Sequence, residues 1–437
     1  MLKRKIDADL IAWKNNPNKK VLLVKGARQV GKTYSIDNFG RNNYESYIHL
    51  NFEKNPSAKE IFSGDRDVDT IMTNLSIRFP NIDPIPGKTL IFLDEIQACP
   101  DARVAFKFFT IDGRFDVIGS GSLLGLNYRE VSSYPVGYED LMEMHSLDFE
   151  EFLWASGIKD NVIGKIKNAL AEKKPLDDFM LREMEDHYTR YMAIGGMPEV
   201  VNTFMETKHM GKVMETQKKI VSGYRDDVMK YAIRVDKNRI NACLNSIPEQ
   251  LASENKVFKY RNVEGNTNAR YDMYGSSISW LYDANVINLC YNLSEPAIPL
   301  IAKRRGNVFK IYMRDTGLLV SMLGEAMMQS IMSGDTKVNN GAVNENIVAD
   351  MLGKSGFDLN YFGKSCMSVD FIIELGGEPV AVEVKSGNNR RAKSLSAIMS
   401  DKYKVRRGLL FEKTNVHVDE SGVEHYPLFA AAFIRCL

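Results

Sequence analysis

Residues 26–33 read GARQVGKT, and residues 89–97 read TLIFLDEIQ. The first stretch fits GxxxxGK[ST] and lies between the apolar run VLLV and a helix-like segment, TYSIDNFG. That context suits a phosphate cradle, because backbone N–H groups that curl around oxygens at a helix N-terminus favour negative charge. The spacing predicts that Gly26, Ala27, Arg28, Gln29, Val30, Gly31, Lys32, Thr33 and Tyr34 line a nucleotide. Lys32 would neutralise the β- and γ-phosphates, and Thr33 would ligate Mg²⁺. The second stretch is a buried strand that delivers Asp94 and Glu95 at its C-terminal end, where ligands of parallel sheets bind. Asp94 would hold Mg²⁺, and Glu95 would polarise an attacking water. A third strand, FDVIGSGS, offers Ser120 to the γ-phosphate or the water. ATP and Mg²⁺ are thus the expected cofactors. Arg28, Arg103, Arg114 and Arg129 are all available to complete a neighbour's nucleotide site.

A second chemical constellation lies near the other end, in VDFIIELGGEPVAVEVKSG (369–387). Gly376-Gly377 reads as a two-residue hairpin turn. The resulting register sets Leu375 opposite Glu378, Ile373 opposite Val380 and Asp370 opposite Glu383. Opposed residues share a face with Cβ atoms ~5 Å apart, and alternation adds Lys385 to that face. Two opposed carboxylates repel unless a cation or proton sits between them, and a hard divalent cation such as Mg²⁺ takes oxygen ligands. Lys385 could then orient water or stabilise a pentavalent phosphate. Upstream, VNENIVADML sets Glu345 on a helical stripe with Val348, Ala349 and Leu352, so Glu345 is a third candidate ligand. An exposed acid–base ladder would use the same residues without any chemistry.

These groups need elements to hold them. VLLVKG, YIHLNF, TLIFLDE and FDVIGSG alternate with helical stretches, as in a parallel α/β sheet. From Phe149 to about Asp236 the chain reads as helical and charged. Residues 237–300 read as short helices followed by an extended run, the outline of a winged helix. Strands return at FKIYM, DLNYF, VDFII, PVAVEVKS and RGLLFE. The expected fold is therefore α/β: a P-loop NTPase parallel sheet (1–150), a helical lid (151–236), a winged-helix-like unit (237–304) and a restriction-endonuclease-like α/β domain (305–437).

With 437 residues the chain can bury several cores, and its formal charge of +1 assigns any nucleic-acid binding to local patches. Lys256, Lys259, Arg261, Arg270, Lys303, Arg304 and Arg305 form one candidate patch. The five cysteines are dispersed with no CxxC pair, which reads as reduced thiols of a cytoplasmic protein. No signal peptide is expected at MLKRKIDADLIAWKNN, and no apolar run would span a membrane. No nucleophile elbow, HExxH or Rossmann glycine pattern points to a metabolic enzyme.

The chain also resembles a family of bacterial and archaeal AAA+-like ATPases whose C-terminal domain looks like a restriction endonuclease. The resemblance spans nearly all of the chain. Its segments include GARQVGKT, IFLDEIQACP, VIGSGSLLG, SYPVGYEDLMEMHSLDFEEFL, IGGMPEVV, SIPEQLASENKVFKY, FKIYMRDTGLL, ENIVADML, VDFII and VEVKSG. It implies ATP-site roles for Gly26, Gly31, Lys32, Thr33, Asp94 and Glu95, and an endonuclease-like signature at Glu345, Asp370, Glu383 and Lys385. One departure is Tyr138, where relatives often carry a basic residue after the PVG turn. The expected partners are DNA or RNA, with a protein partner as the alternative if the nuclease-like domain is an inactive scaffold. An oligomer is compatible with the resemblance.

Overall fold

The computed structural model describes every residue except 1, 82, 123–136, 233–235, 266–269, 335–340, 365–366, 386–392 and 401–402. Arg129, Cys366 and most of the SLLG and SYPVG segments therefore lie outside the described residues. The chain divides into two compact units: Met1–Ser146 with Asp283–Asn285, and Leu147–Tyr282 with Val286–Leu437.

The first unit is built on a five-stranded, wholly parallel sheet. Its strands are β1 (Val21–Lys25), β2 (Ser46–Asn51), β3 (Thr89–Asp94), β4 (Asp116–Gly121) and β5 (Glu139–Glu143), in the order β2-β3-β4-β1-β5. Every residue of β3 is buried, and β2 buries alternate residues. A central strand covered on both faces must be apolar throughout, whereas an edge strand needs only one apolar face. Leu23, Ile48, Leu50, Ile91, Leu93, Phe106 and Phe109 form part of the core on one side. The four expected strands are present. The fifth, β5, is a polar edge (Glu-Asp-Leu-Met-Glu) with no apolar alternation to reveal it.

The second unit opens with five helices, Phe149–Ala155, Asp160–Ala171, Asp178–Ile194, Pro198–Thr207 and Met210–Tyr231. These helices, which cover the segment expected as a helical lid, group with the second unit. Phe149 packs against Phe429 and Phe433, and Lys354 donates to the Leu147 carbonyl and the Tyr191 hydroxyl. Apolar helix faces bury where the matching apolar surface is, and here that surface is the chain's C-terminal segment.

An eight-stranded mixed sheet follows. It comprises β6 (Ile287–Leu293), β7 (Arg304–Met313), β8 (Asn360–Lys364), β9 (Met367–Leu375), β10 (Glu378–Val384), β11 (Arg407–Glu412), β12 (His417–Val418) and β13 (Glu424–Pro427). The order is β12-β13-β11-β10-β9-β8-β6-β7. The extended run expected to close the winged-helix-like unit is β6, which pairs with β7 and, in parallel, with β8, so it belongs to this sheet. A boundary between residues 304 and 305 would cut β7. The expected winged-helix-like and C-terminal segments thus share one sheet. The helix Gly341–Lys354 is buried almost all round, from Ala342 to Leu352.

The Gly-Gly hairpin has the expected register. Gly376 and Gly377 take φ values of 63° and 80°, the left-handed pair that a tight two-residue turn requires and glycine supplies. Leu375 pairs with Glu378 and Ile373 with Val380, and the last ladder pair is Phe371 with Val382. Asp370 and Glu383 come one step beyond it.

Candidate functional site

The strand ends of the first unit meet at Asp94. In the parallel register Asn51 lies beside Asp94, and Val24 lies beside Ser120. Asp94 is 1% exposed. Its Oδ2 accepts from the Thr33 hydroxyl at 3.0 Å and from the Asn51 amide at 2.8 Å, and its Oδ1 accepts from the Ser120 hydroxyl at 2.5 Å. His49, stacked on Phe92, brings Nε2 to 3.6 Å from Oδ2. Burial raises the carboxyl, but the nearby His49 and the hydrogen bonds from Ser120, Asn51 and Thr33 outweigh it and hold the pKa below the ordinary aspartate value. An ionised Asp94 beside the Thr33 hydroxyl is a fitting donor pair for Mg²⁺.

The loop between β1 and the helix Lys32–Asn43 wraps the other side. Gly31, at φ 97°, caps that helix in the left-handed region. Gly26 approaches the backbone so closely that an added Cβ would stand 2.1 Å from the Met144 carbonyl oxygen. Arg4, buried in the N-terminal segment, donates to the Val30 carbonyl at 2.9 Å and to the His145 carbonyl at 2.7 Å. It pins the loop from beneath, and no motif announced it. Lys32 turns back on the loop and donates to the Gly26 and Ala27 carbonyls at 2.9 and 2.7 Å. Burial lowers its pKa to about 8, with Glu95 and Asp94 opposing. Tyr34 is exposed on the first turn of the helix, and Gln29 takes a positive φ of 63°.

Glu95 follows the buried strand in a left-handed conformation, φ 53°. Its Oε2 accepts from the Gln97 amide at 2.5 Å. Burial pushes its pKa up, with the Gln97 hydrogen bond opposing and Asp94 adding to the rise. Its carboxylate is steadied by a residue two places on. Ser120, expected to reach a phosphate or water, is fully buried and gives its hydroxyl to Asp94. Of the candidate arginines, Arg103 is buried against Glu139 at 2.7 Å, and Arg114 reaches Asp69 and Asp112.

The C-terminal constellation lies in the second unit, on a cavity of about 550 Å³. Glu345, Asp370 and Glu383 all line it. Their surroundings differ. Glu345 is 3% exposed, and both its oxygens are engaged. Lys256 donates to Oε2, while Lys310 (2.7 Å) and the Tyr312 hydroxyl donate to Oε1. Although burial raises its pKa, Lys310 and Lys256 win and hold it down at about 2. Asp370 accepts from the Val384 backbone N–H at 3.0 Å and lies 3.8 Å from Lys310. Burial and the Glu345 charge push its pKa up to about 6. Glu383 is raised to about 8 by burial and by Asp370, with Lys385 opposing. Its Oε2 is buried without a hydrogen-bond partner among the described residues.

Asp370 and Glu383, raised by burial and with the Glu383 Oε2 unpartnered among the described residues, could share a divalent cation, but Glu345 does not fit while two ammonium groups hold it. Among the described residues no three His, Cys, Asp or Glu side chains are grouped to hold a metal ion. The basic patch is also partly spent: Lys303 pairs with Glu295 at 3.1 Å, Arg304 with Asp358 at 3.1 Å, and Lys256 with Glu345. No helix among the described residues is long and apolar enough to cross a membrane.

Comparison with known proteins agrees with the first site. Residues 18–153 match a family model described as AAA domain, so this segment is similar to AAA-type P-loop domains. Residues 185–329 match a domain of unknown function, DUF8612, and residues 340–429 match a second, DUF4143. No curated protein matches the chain. Among solved structures, the Aeropyrum pernix ORC1 protein in complex with DNA is 14% identical, with 77% of this chain and 93% of that chain covered and a TM-score of 0.30. AMPPCP-bound DnaA from Aquifex aeolicus is 14% identical, with 60% and 74% covered and a TM-score of 0.29. C. elegans PCH-2 is 12% identical, with 47% and 63% covered and a TM-score of 0.27. At such TM-scores these likenesses carry no functional weight.

Proposed function

We propose that the chain binds and hydrolyses ATP at the Asp94 site and couples its nucleotide state to nucleic-acid binding or cleavage by the C-terminal cavity. The observation that carries the ATPase reading is the convergence of Thr33, Asn51 and Ser120 on one buried, ionised Asp94 beside the phosphate loop. Backbone N–H groups of residues 27–34 would face the phosphates. Lys32 would leave the Gly26 and Ala27 carbonyls for the β- and γ-oxygens. Thr33 and Asp94 would hold Mg²⁺, which neutralises charge on the phosphates when bound. Glu95 would accept a proton from the water whose oxygen attacks the γ-phosphorus. The bond to the bridging oxygen breaks, and ADP and phosphate leave.

Support for the nucleic-acid half comes from the acidic pair Asp370 and Glu383 in one cavity with Lys310 and Arg305, and from the Lys385 charge acting on Glu383. A second reading, an inactive nuclease-like scaffold that serves a protein partner, is favoured by one observation: Glu345 is already neutralised by lysines. The test is a paired assay on the full chain. ATP hydrolysis should vanish in Lys32→Ala and Glu95→Gln, and hydrolysis that persists in both would overturn the ATPase assignment. Single- and double-stranded DNA and RNA, offered with Mn²⁺ and ATP, should be bound in a salt-dependent manner. Cleavage lost in Asp370→Ala would make the domain a nuclease, and neither binding nor cleavage would leave the scaffold reading.

A further inference from the structure

The mismatch at Glu345 has a removable cause. Its two ammonium partners come from different places. Lys310 is buried in the middle of β7, 7% exposed, and cannot leave without disturbing the sheet. Lys256 comes from the turn after the helix Lys237–Ala252, outside the strands and helix that carry the three acids. That turn is held by short-range bonds of its own and is tied to β7, where Val257 bridges Lys310 and the Phe258 N–H donates to the Phe309 carbonyl at 2.9 Å. Ser253 Oγ donates to the Gln250 and Asn255 carbonyls at 2.7 and 2.8 Å, and Val257 N donates to Asn255 Oδ1 at 3.1 Å. The Lys256 side chain is 21% exposed, against 4% for Glu345. It therefore reaches the carboxylate from the cavity side, where solvent has access.

The charges around the cavity are lopsided. Glu345 faces two ammonium groups, whereas Glu383 has a buried oxygen with no partner among the described residues and Asp370 shares only the more distant Lys310. A divalent cation bound by Asp370 and Glu383 would want a third carboxylate oxygen, and Oε2 of Glu345 is the one that Lys256 covers. The ammonium and the metal would compete for the same oxygen, and a positive charge at that distance also repels the incoming cation.

We propose that Lys256 is a built-in counter-cation that occupies the Glu345 oxygen and holds off a divalent metal until its side chain is displaced. This rests on the reading of Asp370 and Glu383 as metal ligands, and the test separates the two. Nucleotide-free full-length protein is titrated with Mn²⁺, with free ion followed by electron paramagnetic resonance. The proteins are the wild type, Lys256→Met, Lys256→Gln, Lys256→Arg and Asp370→Asn, together with Lys256→Met combined with Asp370→Asn. Lys256→Met and Lys256→Gln should bind Mn²⁺ at least about tenfold more tightly than the wild type. Lys256→Arg, which keeps the charge, should stay near the wild type. The gain should disappear when Asp370→Asn is added. A thermal melt of each variant, unchanged within a few degrees, shows that the comparison is between folded proteins. Equal Asp370-dependent affinity in the wild type and both neutral variants would overturn the role of Lys256 and leave the metal site standing. No Asp370-dependent Mn²⁺ binding in any of them would overturn both.

Discussion

Lys32 makes ATP binding sensitive to pH, and the size of the effect follows from its burial. Without phosphate, the ammonium sits among carbonyls at 7% exposure, and burial brings its pKa from 10.5 to about 8. Below pH 8 the group is charged in both folded and unfolded states, so the folded protein carries the full penalty. That penalty is about 3 kcal/mol, since each tenfold change in a protonation equilibrium is worth ~1.4 kcal/mol. Between pH 8 and 10.5 the folded group is neutral while the unfolded one still holds its proton. Stability therefore rises with pH across that window. Binding moves the other way. Only the ammonium form pairs with phosphate oxygens, so the apparent Kd scales as one plus ten to the power of pH minus 8. From pH 7 to pH 9 ATP affinity should fall about tenfold, with roughly half of the protein competent at pH 8. The assay is isothermal titration of ATP without metal at pH 7, 8 and 9, in two buffers of different ionisation heat. Proton uptake on binding should grow with pH. Lys32→Met should bind weakly at every pH and lose the slope. Wild-type affinity that is flat from pH 7 to 9, with no proton uptake, would refute the argument that this ammonium is desolvated before phosphate arrives.

Three further outcomes follow from the same geometry. Glu95→Gln should keep ATP affinity while turnover falls by about 10²-fold or more, read by comparing nucleotide binding with phosphate release. Gly26→Ala should weaken ATP binding more than it destabilises the fold, because its Cβ would stand 2.1 Å from the Met144 carbonyl oxygen and the loop must move; paired ATP titration and urea melts check this. Lys354→Met should cost about 3–5 kcal/mol in chemical denaturation. It would strand the buried Asp350 carboxylate, now 2.8 Å from the ammonium, and leave the Leu147 carbonyl and Tyr191 hydroxyl without that donor.

What could be read from residue order alone was whatever repeats locally. The phosphate loop, the strand ending in Asp94 and the Gly-Gly hairpin register depend on neighbours a few residues apart, and all three are present as read. The strand β5 was missed because an edge strand of Glu, Asp and Met has no apolar period. The boundary near residue 304 failed for a different reason. An extended run read in isolation closes the helical unit before it, and only its pairing with β7 and with β8, roughly seventy residues on, makes it part of a larger sheet. Arg4, Asn51 and Gln97 left no motif, since one buried hydrogen bond to a functional group imposes no spacing. Ser120 is legible at the end of its strand, but its hydrogen bond to Asp94 is not, because that contact crosses strands.

The C-terminal cavity makes the same point about charge. Asp370, Glu383 and Lys385 are within sixteen residues of one another, and strand alternation alone put them on one face. Three acids in one cavity read as a metal site because the acids alone are counted. The cations that decide the matter enter from afar, Lys310 from 35 residues and Lys256 from 89 residues before Glu345. Buried carboxylates need compensation, and either lysine or metal can supply it. Glu345 has taken lysine, while Glu383 has an oxygen still unpartnered among the described residues. One cavity therefore holds a satisfied acid next to one with an unpartnered oxygen, and two ammonium groups, the buried Lys310 and the partly exposed Lys256, keep Glu345 in a closed ion-pair network.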